Sequence, residues 1–170
     1  MHISTATIED IPFLVSLINS AYRGDASKKG WTTEADLLKG ELRTDIPTLT
    51  DIINKEGATI LKYIGEDGTI TGCVYLQKME RGLYLGMLTV SPLLQASGIG
   101  KKLLAAAEAF AKENNCPLIF MNVISIRSEL IAWYERHGYY DSGERKPLPD
   151  DTRFGTPTQP LEFIIMEKKI

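Results

Sequence analysis

Val90-Ser91-Pro92-Leu93-Leu94-Gln95-Ala96-Ser97-Gly98-Ile99-Gly100-Lys101 decides how the rest of this chain is read. An apolar run enters it from Leu83 and an amphipathic run leaves it toward Asn114, so it joins a strand to a helix. Gly98 and Gly100 keep side chains away from the mouth of that helix. The first N–H groups of a helix have no partner within it, and the helix dipole adds partial positive charge there. Such an entrance is a seat for a phosphate or pyrophosphate.

Upstream of the loop, Ala58–Gly65, Thr69–Met79 and Leu83–Val90 read as strands joined by Asp67-Gly68 and Arg81-Gly82, an antiparallel meander. Residues 2–6 read as a first strand. Thr7 or Asp10 caps a helix to Tyr22, with Phe13, Leu14, Leu17, Ile18 and Ala21 at helical spacing. Residues 23–31 read as a polar loop. Thr33 is expected to open a short helix carrying Leu37 and Leu38, and Thr48-Leu49-Thr50-Asp51 to open another as a capping box. Downstream, Ile99, Leu103, Ala107, Phe110 and Ala111 share one helix face. Pro117–Ile124 is apolar enough for a strand covered on both sides. Ser128 caps a helix that Gly138 ends; Tyr139–Ser142 is a candidate strand, 143–160 a long loop and Leu161–Lys168 the last strand. The expected architecture is α/β: one domain over 1–170, a mixed and mostly antiparallel sheet flanked by helices. Neighbouring strands joined through helix 98–114 must be parallel.

Composition narrows the function. In a chain of 170 residues, a net charge of −3 gives no pointer to a nucleic-acid surface. No apolar run spans a bilayer, and Met1–Thr5 lacks the pattern of a signal peptide. Cys73 and Cys116 sit in apolar contexts and read as buried free thiols, which fits a reducing, cytoplasmic setting. Two histidines without metal-ligand spacing point to no metal. Strand edges make a homodimer plausible.

Three glycine-rich templates compete for the loop. A nucleotide-triphosphate loop needs glycine where Gln95 stands and a hydroxyl where Lys102 stands. A dinucleotide fingerprint needs a third glycine where Leu103 stands. The third, Gln/Arg-x-x-Gly-x-Gly/Ala after a strand ending in Val-x-Pro, is met by Gln95 to Gly100 behind Val90 and Pro92. A second segment, Trp133-Tyr134-Glu135-Arg136-His137-Gly138-Tyr139, follows at the right distance. On these two motifs and the order of elements the chain resembles the GCN5-related N-acetyltransferase (GNAT) superfamily over its whole length, least in 23–57 and 143–160.

The resemblance implies acetyl-CoA, or a related acyl-CoA, as co-substrate. It implies a pyrophosphate held over Gln95, Ala96, Ser97, Gly98, Ile99, Gly100 and Lys101, with Leu88, Thr89 and Val90 pairing with the pantetheine in a gap between this strand and 117–124. It makes Tyr134 the candidate general acid: a phenol of ordinary pKa near 10 can protonate a thiolate. The acceptor would be an amine of a small molecule or peptide, its base unassigned. Leu83–Val90 carries no carboxylate, which leaves Glu34, Asp36 or water, and Glu34 is the candidate carried forward. Arg127 stands where the family often has an asparagine touching the cofactor. Trp31, with Tyr22 and Arg23 nearby, reads either as a lid over the acceptor or as a satellite cluster under the loop. Arg153 reads either as a partner for an acceptor carboxylate or as a solvated loop cation. The missing strand carboxylate keeps a second class open, a non-catalytic acyl-CoA-binding or sensor domain.

Overall fold

The chain begins with β1 (His2–Thr5), a 3₁₀ turn at Ile8–Asp10, and α1 (Ile11–Tyr22), which has Pro12 in its first turn. A one-turn α2 (Gly24–Ser27), a two-residue β2 (Leu38–Lys39) and α3 (Ile46–Ile53) follow. The meander is β3 (Ala58–Ile64), β4 (Ile70–Lys78) and β5 (Leu83–Val90). Then come α4 (Ile99–Glu113), β6 (Leu118–Ile124), α5 (Ser128–Arg136), β7 (Tyr140–Pro147), β8 (Thr156–Pro157) and β9 (Glu162–Lys169). The structure is a computed structural model and describes residues 2–170. The main sheet has seven strands in the order β1-β3-β4-β5-β6-β9-β7, and β5–β6 is its parallel pair. The mixed, mostly antiparallel sheet of the sequence reading is thus observed.

Side-chain alternation divides the core between the two faces of the sheet. Val74 and Leu76 of β4 pack with α4 through Leu103, Leu104 and Ala107, while Cys73 and Tyr75 pack with α1 and α3 through Leu14, Ile18 and Leu49. Along β5 this alternation breaks. Leu83 and Leu85 belong to the α4 side, but Met87 belongs to the α1 side. The cause is a bulge: Cys73 pairs with Thr89 and Tyr75 with Gly86, so Val74 faces both Met87 and Leu88. Met87 takes φ 47°, and the Thr89 hydroxyl donates to its carbonyl oxygen at 2.8 Å. Past the bulge, Leu88 and Val90 lie against the α4 side.

Four local expectations are corrected. No helix follows Thr33: its hydroxyl accepts the Ala35 N–H, the carbonyl of Glu34 accepts from both Leu37 and Leu38, and after that turn Leu38 pairs with Pro157 in a β2–β8 ribbon. α3 begins before Thr48, because Asp45 is its cap, accepting the Thr48 N–H at 2.9 Å. The expected loop 23–31 contains α2 and buries Arg23 and Ser27. The expected loop 143–160 is strand as far as Pro147. That edge strand pairs with β9 alone and is exposed and polar along most of its length, so it has no apolar alternation to read. Cys73 and Cys116 are buried and free as expected, and Phe13, placed on the apolar face of α1, is 67% exposed.

The start of α4 is set by contact with β4. A Cβ on Gly72 would lie 2.9 Å from Ile99 Cγ2 and 3.1 Å from Leu103 Cδ1. Gly72→Val must therefore push the first turn of α4 off the sheet, at a cost of about 1–3 kcal/mol. Urea unfolding is expected to show a lowered midpoint with an unchanged slope.

Candidate functional site

Only Leu83 with Ile119 and Tyr84 with Phe120 are in register between β5 and β6. Beyond them the two strands part, and a cavity opens on each side of a shared wall. Buried backbone groups need partners, so a strand edge that loses its neighbour is a place for a ligand or a side chain to bind. Tyr22 supplies one such contact, its hydroxyl donating to the Leu88 carbonyl at 2.9 Å. Burial pushes that phenol up to about 12.

The first cavity, of about 330 Å³, is bounded by the glycine loop. Gly98 is the N-cap of α4 at φ 88°, with no side-chain cap. Among the described residues, no backbone N–H from Gln95 to Lys101 is taken by an acceptor. A Cβ on Gly98 would meet nothing within 4 Å, whereas one on Gly100 would come 3.3 Å from Trp133. The first glycine thus provides a left-handed cap under open space, and the second provides close packing. Lys101 and Arg136 add cations to the rim. A row of free N–H groups at a fifteen-residue helix, flanked by cations, suits a phosphate-bearing ligand.

Of the residues singled out from sequence, Tyr22, Trp31, Glu34, Leu88, Val90, Gln95, Ala96, Gly98, Ile99, Gly100, Lys101, Arg127 and Tyr134 meet around this cavity. Thr89 is buried and holds the bulge instead, and Ser97 turns its hydroxyl to the Leu94 carbonyl. Trp31 lies on the glycine-loop side, not over the second cavity. Its backbone N–H donates to Gln95 Oε1 at 3.0 Å and its ring sits 6.4 Å from Trp133, while Gln95 Nε2 donates to the Val90 carbonyl at 3.2 Å. Arg153 is corrected outright. Its side chain is 70% exposed, is paired with Asp151 at 2.8 Å, and lines neither cavity.

Glu34 is the point where the segments of the site meet. Its Oε1 is paired with Arg23 and its Oε2 accepts from Arg127 at 3.1 Å, all three side chains being buried. Arg23 also donates to the Phe154 carbonyl from Nε at 3.1 Å and Nη2 at 2.6 Å, and Arg127 donates to Thr32 Oγ1 at 2.8 Å. Both carboxylate oxygens are engaged, so the geometry does not offer Glu34 as a free base; it ties three parts of the chain together. Arg127 points inward to this network from the cap of α5.

Tyr134 is buried on α5, edge-on to Trp133 and Tyr139. Burial pushes its phenol well above the ordinary value of 10.0, and it has no hydrogen-bond partner among the described residues. Tyr134, Leu88, Tyr22, Glu34, Arg127 and Leu130 line both cavities and so form their common wall. A protonated phenol there is a proton donor within reach of ligands on either side. Sequence reasoning missed Arg136 in the first cavity, Arg43 and Asn122 in the second, and Leu130 in both. Arg136 stood two residues after Tyr134 in a quoted motif; Arg43 had no local signal. No helix is long and apolar enough to cross a membrane, and no acidic, histidine and cysteine cluster could hold a metal, among the described residues.

This sheet, parted over a glycine-capped helix, has the architecture of an acyltransferase. The acetyltransferase (GNAT) family model matches residues 16–139, and the chain belongs to that family of acetyltransferases. Among solved structures it is similar to the PaiA N-acetyltransferase of Thermoplasma acidophilum in complex with coenzyme A (22% identity, TM-score 0.74, both chains covered fully). It is also similar to a ribosomal-protein-alanine N-acetyltransferase from Brucella melitensis (19%, 0.73, both chains covered fully). The ribosomal-protein-S18-alanine N-acetyltransferase of Escherichia coli is a third (16%, 0.73, 99% of this chain and 93% of that one). No curated protein sequence matches it significantly.

Removing the carboxylate from the buried network leaves two guanidinium groups facing each other, Arg23 with no ion-pair partner and Arg127 with only the half-exposed Glu129 at 3.7 Å. Glu34→Ala is expected to lower stability by about 3–5 kcal/mol, read as a lower urea midpoint. An unchanged midpoint would show the network to be dispensable.

Proposed function

We propose that this chain transfers an acetyl group from acetyl-coenzyme A to a primary amine of a small molecule or peptide by direct attack, with Tyr134 as general acid. The observation that carries the reading is the meeting of unclaimed N–H groups at Gln95–Lys101 with the Tyr134 phenol around one cavity. The residues present fit the co-substrate. The open space above Gly98 admits a pyrophosphate that a side chain there would displace, Lys101 and Arg136 balance its charge, and Leu88, Val90, Ile99 and Leu130 give an apolar floor for an extended chain. The coenzyme A complex of the Thermoplasma relative agrees with this choice of ligand.

Acetyl-coenzyme A, when bound, supplies the thioester that the amine attacks. Holding the two reactants on either side of one wall removes several kcal/mol from the barrier. The edge of β5 at Leu88 orients the acyl group, Tyr134 gives its proton to the departing sulfur, and the proton that the nitrogen sheds as the amide forms returns through water to the Tyr134 phenolate. Glu34 positions Arg23 and Arg127, and the amine reaches the site neutral or loses its proton to water. A non-catalytic acyl-CoA-binding domain is the second reading, favoured by one observation: the carboxylate in the common wall is already occupied by two arginines.

Calorimetry with acetyl-coenzyme A tests both readings, and thiol release across an amine panel separates them. Gly98→Val is expected to weaken coenzyme binding, because it fills the open space and strains the φ of 88°. Tyr134→Phe is expected to lower kcat by about 10²-fold while leaving coenzyme affinity unchanged; an unaltered rate removes Tyr134 as the acid. The sign of the pH dependence follows from burial. A phenol raised above 10.0 keeps its proton, so the rate is expected to climb with amine deprotonation and to show no Tyr134-dependent alkaline fall below pH 10.0.

A further inference from the structure

We propose that Arg43 reads an anion in the second cavity, and that the acceptor is an amine carrying a single carboxylate, of the amino-acid class. The proposal rests on the acetyltransferase reading above. The second cavity, of about 350 Å³, lies across the common wall from the glycine loop and falls in the size range of small-molecule sites. Its wall holds three cations, Arg23, Arg43 and Arg127, against two carboxylates, Glu34 and Asp151. Arg23 and Arg127 share the single charge of Glu34, Glu129 adds a second carboxylate 3.7 Å from Arg127 Nε from outside the wall, and Asp151 is engaged by Arg153, also from outside it. Arg43 forms no ion pair among the described residues, which leaves one uncompensated positive charge facing the cavity.

Arg43 is held in place rather than left loose. Its backbone N–H donates to Asn19 Oδ1 at 2.6 Å, the Thr44 backbone N–H donates to the same oxygen at 3.0 Å, and Asn19 Nδ2 donates to the Thr44 carbonyl at 3.1 Å. These bonds clamp 43–44 onto α1. The guanidinium carbon then lies 5.5 Å from the centre of the Tyr22 ring, a cation–π arrangement that fixes the fork while leaving its N–H donors free. The same Tyr22 holds the Leu88 carbonyl at the parted strand edge. The charge therefore stands one aromatic ring away from where the amine is to react.

Chemistry selects the ligand. A planar guanidinium matches a carboxylate through two parallel hydrogen bonds. One free positive charge is balanced by a monoanion. A diamine would bring a second ammonium against Arg43. The remaining wall sets Leu38, Met121, Leu148, Phe154 and Phe163 beside the polar groups of Asn122 and Tyr84, so an apolar or aromatic side chain finds contact there as the body of the acceptor.

The test uses the full chain, with acetyl-coenzyme A and matched pairs of amines: the free amino acids, leucine and phenylalanine among them, and their primary amides, with 1,4-diaminobutane as the dication. Thiol release gives kcat/KM for each, and calorimetry gives coenzyme affinity. Comparing the acid-to-amide ratio between native protein and variant cancels the intrinsic reactivity of each amine. Arg43→Gln is expected to lower that ratio by about tenfold or more, through KM for the acids, with coenzyme affinity unchanged. Arg43→Lys is expected to restore part of it. A ratio that Arg43→Gln leaves intact, a preference for the diamine, or a panel in which no free acid is acetylated although acetyl-coenzyme A binds overturns the proposal and leaves the family reaction standing. Failure of acetyl-coenzyme A to bind overturns the parent reading, and this proposal with it.

Discussion

The parting of β5 from β6 after two registered residue pairs is the constraint on which the rest of this structure depends. A parallel pair buried between helix layers ordinarily satisfies its backbone along its whole length. Here the crossover helix α4 joins two strands that diverge, and the space between them becomes the two cavities. The bulge at Met87–Leu88 makes the divergence productive. By shifting the alternation one residue, it turns Leu88 and Val90 toward the α4 side, where the glycine loop is, and sends Met87 into the opposite core. Without that shift the strand edge and the N-terminus of α4 would face opposite sides of the sheet.

The segments that surround the parted strands are tied to one another by the buried Glu34 network. Arg23 comes from the end of α1, Glu34 from the turn before β2, Arg127 from the cap of α5, and the Phe154 carbonyl from the segment before β8. A buried carboxylate between two guanidiniums gains little net stability over apolar packing, because desolvating three charges offsets their attraction. Its strength lies in direction: each hydrogen bond admits one geometry. Gly155 fits this account, since a Cβ on it would lie 3.1 Å from Arg23 Nε and 3.0 Å from Leu38 Cβ.

The legible parts of the site were those written in contiguous residues. The strand–glycine loop–helix unit and the Trp133–Tyr139 segment announced themselves because a cap, a left-handed glycine and a helix end are local events. What stayed hidden was long-range. Glu34 was visible as a carboxylate but not as the partner of residues 11 and 93 positions away. The bulge left no mark on Leu83–Val90 because its cause is a tertiary register choice. The second half of β7, Gly143 to Pro147, reads as loop because an exposed edge strand needs no apolar alternation. The cap of α3 was misplaced by three residues because Asp45 and Thr48 both begin plausible capping patterns, and Pro47 in the first turn favours the earlier one.

The two cavities divide the work of the site along physical lines. The first is built from a strand, a tight loop and a long helix, elements whose backbone positions are fixed by the sheet. The second takes much of its wall from the segments around Leu38, Arg43, Leu148 and Phe154, which lie outside the main sheet's central strands. Loops on a rigid scaffold can change without disturbing it. A substitution at Arg43 or Phe154 can therefore alter what enters the second cavity while the N–H row at Gln95–Lys101 keeps its geometry. Tyr134 belongs to both cavities, so its proton is common to every ligand that enters from either side. On the proposed acetyl transfer, selectivity for the acceptor resides in the charge and shape of the second cavity, and the chemistry resides in the wall that both cavities share.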